Sequence, residues 1–264
     1  MTHGTLRCVP ALSVVDVVVL AVAASLVGLS KTALPGVGTL SVAAFAAVLP
    51  ARQSTGALLV LLILGDLFAV WTYHAHADWR TLRRMVPAVL AGIGVGSVFL
   101  AVSDDVTVRR VIGVILLTLV AVTLWRRRAE ARAAVAPTDD DPSPLRRHAE
   151  AGVYGVLAGF TTMVANAGGP VMSMYLLAAR FPVQRFLGTA AWFFLVVNVG
   201  KVPFSASLGL ISLGSLTLDL FLAPAVVVGA LVGRRLARRI DQRLFDRLVL
   251  VLTVVSATYL ILQR

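Results

Sequence analysis

Two lysines stand out in this chain as residues that could do chemistry. Lys31 and Lys201 are its only lysines, against 22 arginines, and both interrupt long apolar stretches. Ionisable groups inside membrane segments are rare and functional by default. An ammonium is a compact point charge suited to holding an anion. Ser30, Thr32, Gly36 and Gly38 surround Lys31, and a second stretch carries Thr161, Thr162, Asn166, Gly168 and Gly169. Hydroxyls, an amide and the N–H groups of helix N-termini that follow such breaks are ready partners for anionic oxygen. Asn198 precedes Lys201 by three residues and shares its helix face. Asp66 sits in another apolar run, at about the position equivalent to Asn198. The expected substrate-binding set is therefore Lys31, Thr32, Gly36, Gly38, Thr162, Asn166, Gly168, Gly169, Asn198 and Lys201, with Asp66 as coupling or counter-ion residue.

Other candidates are weaker. Asp16 and Asp219 lie nearer segment ends and are expected at interfaces. His74 and His76 resemble a metal pair but have no carboxylate or thiolate cluster beside them. The single cysteine, Cys8, excludes a disulfide framework or a thiolate zinc site. No phosphate-cradling glycine loop, nucleophile elbow or catalytic carboxylate pair is present, so no enzyme activity, cofactor or metal is expected.

The elements that must position these residues are membrane helices. The chain is 58% apolar and only 14% charged, where a soluble domain carries roughly 25% charge. Runs 85–103, 151–179, 202–218 and 248–263 contain no charged residue. A helix needs about 20 apolar residues to cross a bilayer core, and one that is apolar all round belongs in lipid or in a large core. A chain of 264 residues cannot bury so many in a core of its own. The fold class is an all-α polytopic membrane protein, placed in the cell membrane. The apolar run 14–29 lacks a cleavage site and is expected to be the first membrane element. Trp71, Trp79, Trp125 and Tyr73 fit aromatic belts, whereas Trp192 is deeper and is expected to line a cavity.

Two stretches do not fit one span each. Residues 11–51 are 41 nearly charge-free positions and 151–179 are 29; as straight helices they would reach about 60 Å and about 44 Å. Gly28 to Gly38 and Asn166 to Pro170 break them with glycine and proline. Non-helical backbone survives at membrane depth only against protein or a water-filled cavity, so each stretch is expected to form a broken or re-entrant hairpin. The arginines favour this. Eight simple spans split them 11 to 11, whereas returning hairpins place 17 on one side against five. Lys/Arg excess marks the cytoplasmic face, which puts both termini outside.

The chain also reads as a duplication. Leu26 and Gly28 match Leu157 and Gly159, and Gln53 matches Gln184, at an offset of 131. Pro87, Gly92 and Gly96 match Pro224, Gly229 and Gly233 at an offset of 137. Repeats 1–125 and 151–264, each a hairpin plus three helices, make about eight elements, and an odd number of crossings inverts the second repeat. Inverted repeats with broken helices are a design of secondary transporters. Between them, 126–150 has three consecutive arginines and an Asp139-Asp140-Asp141 run, and is expected to be a flexible cytoplasmic linker. The net charge of +11 is thereby a topology signal rather than a mark of nucleic-acid binding.

The motifs Gly28-Leu-Ser-Lys-Thr-Ala-Leu-Pro-Gly-Val-Gly38, Asp66, His76-Ala-Asp-Trp79, Gly159 to Pro170, Phe186 to Phe194 and Asn198-Val-Gly-Lys-Val-Pro203 together resemble the TauE/SafE-type sulfite exporter family. The resemblance covers nearly all of the chain outside the termini and linker. It implies a transporter of sulfite, sulfonates or related small sulfur-containing anions, commonly an exporter, with proton coupling. The second hairpin departs from the family's glycine-richer version. The competing classes are a membrane accessory subunit and an intramembrane enzyme. Oligomeric state is left open.

Overall fold

Ser13 and Asp16 start the first helix by reciprocal capping. The Ser13 hydroxyl accepts the Asp16 N–H at 3.1 Å, and the Asp16 carboxylate accepts the Ser13 N–H at 2.9 Å. In the computed structural model, α1 (Val14–Thr32) ends just before Pro35, whose ring drives Leu34 out of helical dihedrals. A single 3-10 turn, Pro35–Val37, then reverses the chain into α2 (Gly38–Val48). α3 (Ala51–Tyr73), a second 3-10 turn at His74–His76 and α4 (Trp79–Val102) follow. Past the centre of the chain come α5 (Pro144–Ala165), α6 (Gly168–Ala178), α7 (Val183–Ser207) and α8 (Leu213–Ala237). The residues described are 13–49, 51–102, 144–166, 168–207, 209–241, 243–245, 247–248 and the single positions 107, 114, 117, 118, 121, 125, 251, 254, 255 and 258. Among them there is no strand.

The two stretches too long for one span are both hairpins of one long and one short helix. α2 and α6 each have 11 residues, about 16 Å of helix. α2 runs back along α1: Gly38 lies beside Ser30, and Phe45 and Leu49 pack with Leu20 and Ala24. α6 runs back along α5, with Gly168 against Thr162 and the Tyr175 ring 5.4 Å from that of Tyr154. At the second reversal Asn166 takes a left-handed φ of 53°, a conformation asparagine tolerates better than most residues. The first hairpin breaks later than its glycines suggest, since α1 stays helical through Gly28 to Thr32. α5 begins at Pro144, within the stretch read as linker. Residues 126–143 lie outside the described residues, as does most of what was expected of 103–125 and of the chain after 248.

Outward faces are as apolar as the interior. Leu90, Val95, Leu220 and Phe221 are all exposed, which only a lipid surface accommodates over so much of a molecule. Five described helices are long and apolar enough to cross a membrane: α1, α3 extended to His76, α4 to Phe99, α7 and α8. The expectation of an all-α polytopic membrane protein holds.

The core falls into two clusters that exchange helices between the sequence halves. One joins Leu20, Val27, Phe45, Leu58 and Leu61 to Leu222 and Val226 of α8. The other joins Met172, Met174, Phe186 and Phe194 to Met85 and Val89 of α4. The crossings behind this exchange use glycine on both helices. A Cβ on Gly28 would lie 2.0 Å from Val226 O, and one on Gly229 would lie 1.8 Å from Ser25 O. On the other side, a Cβ on Gly159 would lie 2.2 Å from Val89 O, and one on Gly92 would lie 2.2 Å from Val156 O. Gly159 and Val156 lie 131 residues after Gly28 and Ser25; Gly229 and Val226 lie 137 after Gly92 and Val89. The two crossings thus match contact for contact at the two sequence offsets. Such backbone approach is how membrane helices without a hydrophobic driving force between them associate.

Gly229→Leu is expected to overpack the α1–α8 crossing, at a cost of about 3 kcal/mol or more, and to lower Tm sharply in detergent. Gly94→Ala, where nothing lies within 4 Å of the new Cβ, is expected to leave Tm unchanged or slightly raised. Equal losses at the two positions would show that close approach at the crossing is not what its glycines provide.

Candidate functional site

The hairpin tips meet against the faces of α3 and α7. Lys31, in the last turn of α1, reaches the Asp66 carboxylate on α3, with Nζ 2.7 Å from Oδ1. Asp66 is completely buried. A lone carboxylate there would cost several kcal/mol even after relaxation, so its second oxygen also needs a donor. Asn198 of α7 supplies it, with Nδ2 donating to Oδ2 at 2.6 Å. The same amide turns its Oδ1 to the Lys201 ammonium, 3.5 Å away.

Lys201 is fully engaged. Its Nζ donates to the Thr162 carbonyl at 2.7 Å, to the Thr162 hydroxyl at 3.3 Å and to Asn166 Oδ1 at 2.6 Å. The Asn166 amide in turn donates to Thr55 O of α3 at 3.3 Å. An ammonium has three donors and no acceptor, and these partners use them. Lys201 is 2% exposed and ties the second hairpin to α7. Lys31 differs: its side chain keeps 10% exposure, and its ammonium lies over the Phe194 ring, 4.3 Å from the centroid. A ring face attracts a cation without neutralising it.

Lys31 also faces a cavity of about 40 Å³, walled by Ser30, Gly38, Asp66, Thr162, Asn166 and Phe194. One water needs about 10–15 Å³ measured in this way, so a few waters or one small polyatomic ion fit. Leu62, Ala190 and Ala191 make the wall partly apolar. Gly169 also lines it from the first turn of α6, where N–H groups have no partner within the helix. The Gly38 N–H at the start of α2 is taken by Pro35 O.

Of the residues singled out in the sequence, Lys31, Gly38, Asp66, Thr162, Asn166, Gly169 and Asn198 converge on this cavity. Lys201 stands behind its wall. Thr32 points away: its hydroxyl donates to Gly28 O and to Ala230 O, both at 3.0 Å, closing the α1–α8 crossing. Gly36 belongs to the 3-10 turn, and Gly168 lets α6 pass Thr162 closely. Asp16 caps α1 from its first turn and is half-buried. Asp219 is turned into the bundle rather than outward. It shares the inward face of α8 with Ser215, Leu222 and Val226 and is 3% exposed. Trp192 packs on Trp79, with centroids 5.0 Å apart, rather than on the cavity, because its position on α7 faces α4. His74 and His76 are exposed in their turn. Phe194 was missed in the sequence, although Phe194, Asn198 and Lys201 follow helical spacing of four and three.

The loop before α4 is latched to the start of α7. Arg185 pairs with Asp78, and the Asp78 N–H donates to Thr189 Oγ1 at 2.9 Å. Burial alone would raise the Asp78 carboxyl. The Thr81 N–H and the Arg185 guanidinium outweigh it and hold the carboxyl below its usual range. At the same end Arg234 of α8 lies over Trp71 of α3. Arginines near 80, 185 and 234 are therefore gathered at one end of the bundle.

Fold and site together define a polytopic helical membrane protein whose two hairpins meet at a small, partly polar cavity. The chain belongs to the sulfite exporter TauE/SafE family, whose model matches residues 20–260. No curated protein and no solved structure matches the chain with significance.

Asp66→Ala, which leaves Lys31 buried without a partner, is expected to cost about 3–5 kcal/mol, and Lys31→Met/Asp66→Leu to recover most of it. Chemical denaturation of the purified variants reads both; equal losses would show that charge pairing is not what the site requires. For the latch, a depressed folded pKa means stabilisation present above the unfolded value and lost as pH falls through the folded one. Hydrogen exchange across 74–82 is therefore expected to accelerate in acid below the usual carboxylate range. Asp78→Asn should exchange fast already at neutral pH, and an unchanged profile would remove Asp78 from the latch.

Proposed function

We propose that the chain is a secondary transporter that exports a small sulfur-containing anion, sulfite or an organosulfonate, across the cell membrane. The observation that carries this reading is Lys31: an ammonium on a cavity wall, backed by the single carboxylate of Asp66 and facing the meeting point of two hairpins. Asp66 offsets its charge from one side only, and the ammonium still faces open space, where an incoming anion gains from the low-dielectric setting. Thr162, Asn166 and the first turn of α6 supply donors of the kind an oxyanion accepts, whereas the Ser30 hydroxyl donates to Val27 O at 2.8 Å.

In this reading Lys31 contacts the substrate. Lys201 and Asn198 hold Thr162, Asn166 and Asp66 in place. Asp66 is the counter-ion that the substrate relaxes and the residue through which a proton is coupled. Alternating access is rocking of the two core clusters against each other. The matched glycine crossings support an internal duplication and give each cluster a helix from either repeat; an odd number of crossings in each repeat would invert the second. The arginines gathered near Asp78 support hairpins that return to the side they enter from. On the positive-inside rule that end is cytoplasmic, as is the linker, with both termini outside.

Flux of labelled sulfite and of a labelled organosulfonate from proteoliposomes tests this directly. Lys31→Met is expected to reduce flux by at least about 10-fold, as loss of a charged contact worth about 1.5–3 kcal/mol requires, and Lys31→Met/Asp66→Leu, which leaves no unpaired carboxylate, to stay equally low while eluting as a monodisperse protein. Lys201→Met is expected to abolish flux through the second hairpin. Full flux in Lys31→Met would overturn the assignment.

A further inference from the structure

A second opening lies on the opposite face of α7. An apolar groove of about 240 Å³ runs between α4 and α7, floored by Val89, Ile93 and Val197 and closed at one end by the Trp79–Trp192 pair. Gly94 and Gly200 face it, and a Cβ on either would meet nothing within 4 Å. The counterpart of this groove under the duplication, between α8 and α3, is closed by direct packing of the two helices. The opening is therefore particular to one half of the molecule.

Its mouth is basic. Arg80, Arg83, Arg84 and Pro87 follow one face of α4 and border an open cleft, and Arg83 lines both cleft and groove. A neighbouring carboxylate, Asp78, is committed to Arg185 and to the Thr81 N–H. Among the described residues no carboxylate pairs with these three arginines.

We infer that this is a binding site for one anionic phospholipid, its phosphate on Arg80, Arg83 and Arg84 and one acyl chain in the groove. Guanidinium groups take phosphate through forked donors, and basic clusters beside membrane helices recognise anionic headgroups. A continuous apolar slot directly beneath such a cluster fits a molecule carrying both chemistries and not free phosphate. The groove and the central cavity share α7: Phe193 and Val197 face the lipid, and Phe194 and Asn198 face the cavity. Lipid occupancy thus braces the helix that holds Asp66 through Asn198.

Native mass spectrometry of the full chain, titrated with phosphatidylglycerol, phosphatidylcholine or glycerol phosphate, tests the site. One phosphatidylglycerol is expected to be retained, with affinity at least about 10-fold above phosphatidylcholine and with no retention of glycerol phosphate. Arg80→Gln/Arg83→Gln/Arg84→Gln is expected to erase that preference. Gly94→Phe, or Gly200→Leu should the first not fold, is expected to lose the lipid with the arginines intact. Equal retention of the two lipids, binding of glycerol phosphate alone, or undiminished phosphatidylglycerol binding in either class of variant would overturn the proposal.

Discussion

A carboxylate sealed from solvent dictates much of this structure. Asp66 cannot be left unpaired at the centre of a membrane protein, and its two oxygens recruit two different elements, Lys31 from α1 and Asn198 from α7. Asn198 then faces Lys201, and Lys201 holds the second hairpin by Thr162 and Asn166. One chain of polar contacts thereby joins both hairpins to both of the long helices between them. Truncating any member leaves a buried polar group without its partner, so the tips of the hairpins and the centres of α3 and α7 are energetically coupled.

The lysines divide labour within this chain. Both are buried in apolar surroundings and both meet oxygen acceptors, but only Lys31 has open space in front of it. Lys201 directs its donors to the carbonyl and hydroxyl of Thr162, in the last turn of α5, and to the Asn166 side chain at the reversal. Thr162 is at the sequence position equivalent to Lys31, 131 residues on, and where the first hairpin brings a charge to its tip the second brings a hydroxyl and borrows a charge from α7. The cavity is asymmetric for that reason, although the crossings that frame it match.

Much of the architecture was legible in the sequence because membrane insertion leaves few options: long charge-free runs must be helices, and runs too long for one crossing must turn. Gly28, Gly92, Gly159 and Gly229 carried the packing, since a side chain at any of them would strike a neighbouring backbone. The list of converging residues was legible less completely. Thr32 looked like a ligand beside Lys31, yet one residue of helical rotation turns it toward Ala230. Asp219 looked peripheral because position along a helix does not reveal which face it occupies. Phe194 was invisible as a site residue because an aromatic in an apolar run has no signature until the cation above it is located.

The claim that most needs a direct measurement is that the Lys31 cavity binds one small sulfur-containing anion. Isothermal titration of sulfite and of an organosulfonate into the purified chain, beside chloride at equal ionic strength, measures it. The expected result is one saturable site for a sulfur oxyanion, absent in Lys31→Met and retained in Arg83→Gln. Binding that survives Lys31→Met unchanged, or that does not distinguish these anions from chloride, would be the contrary result.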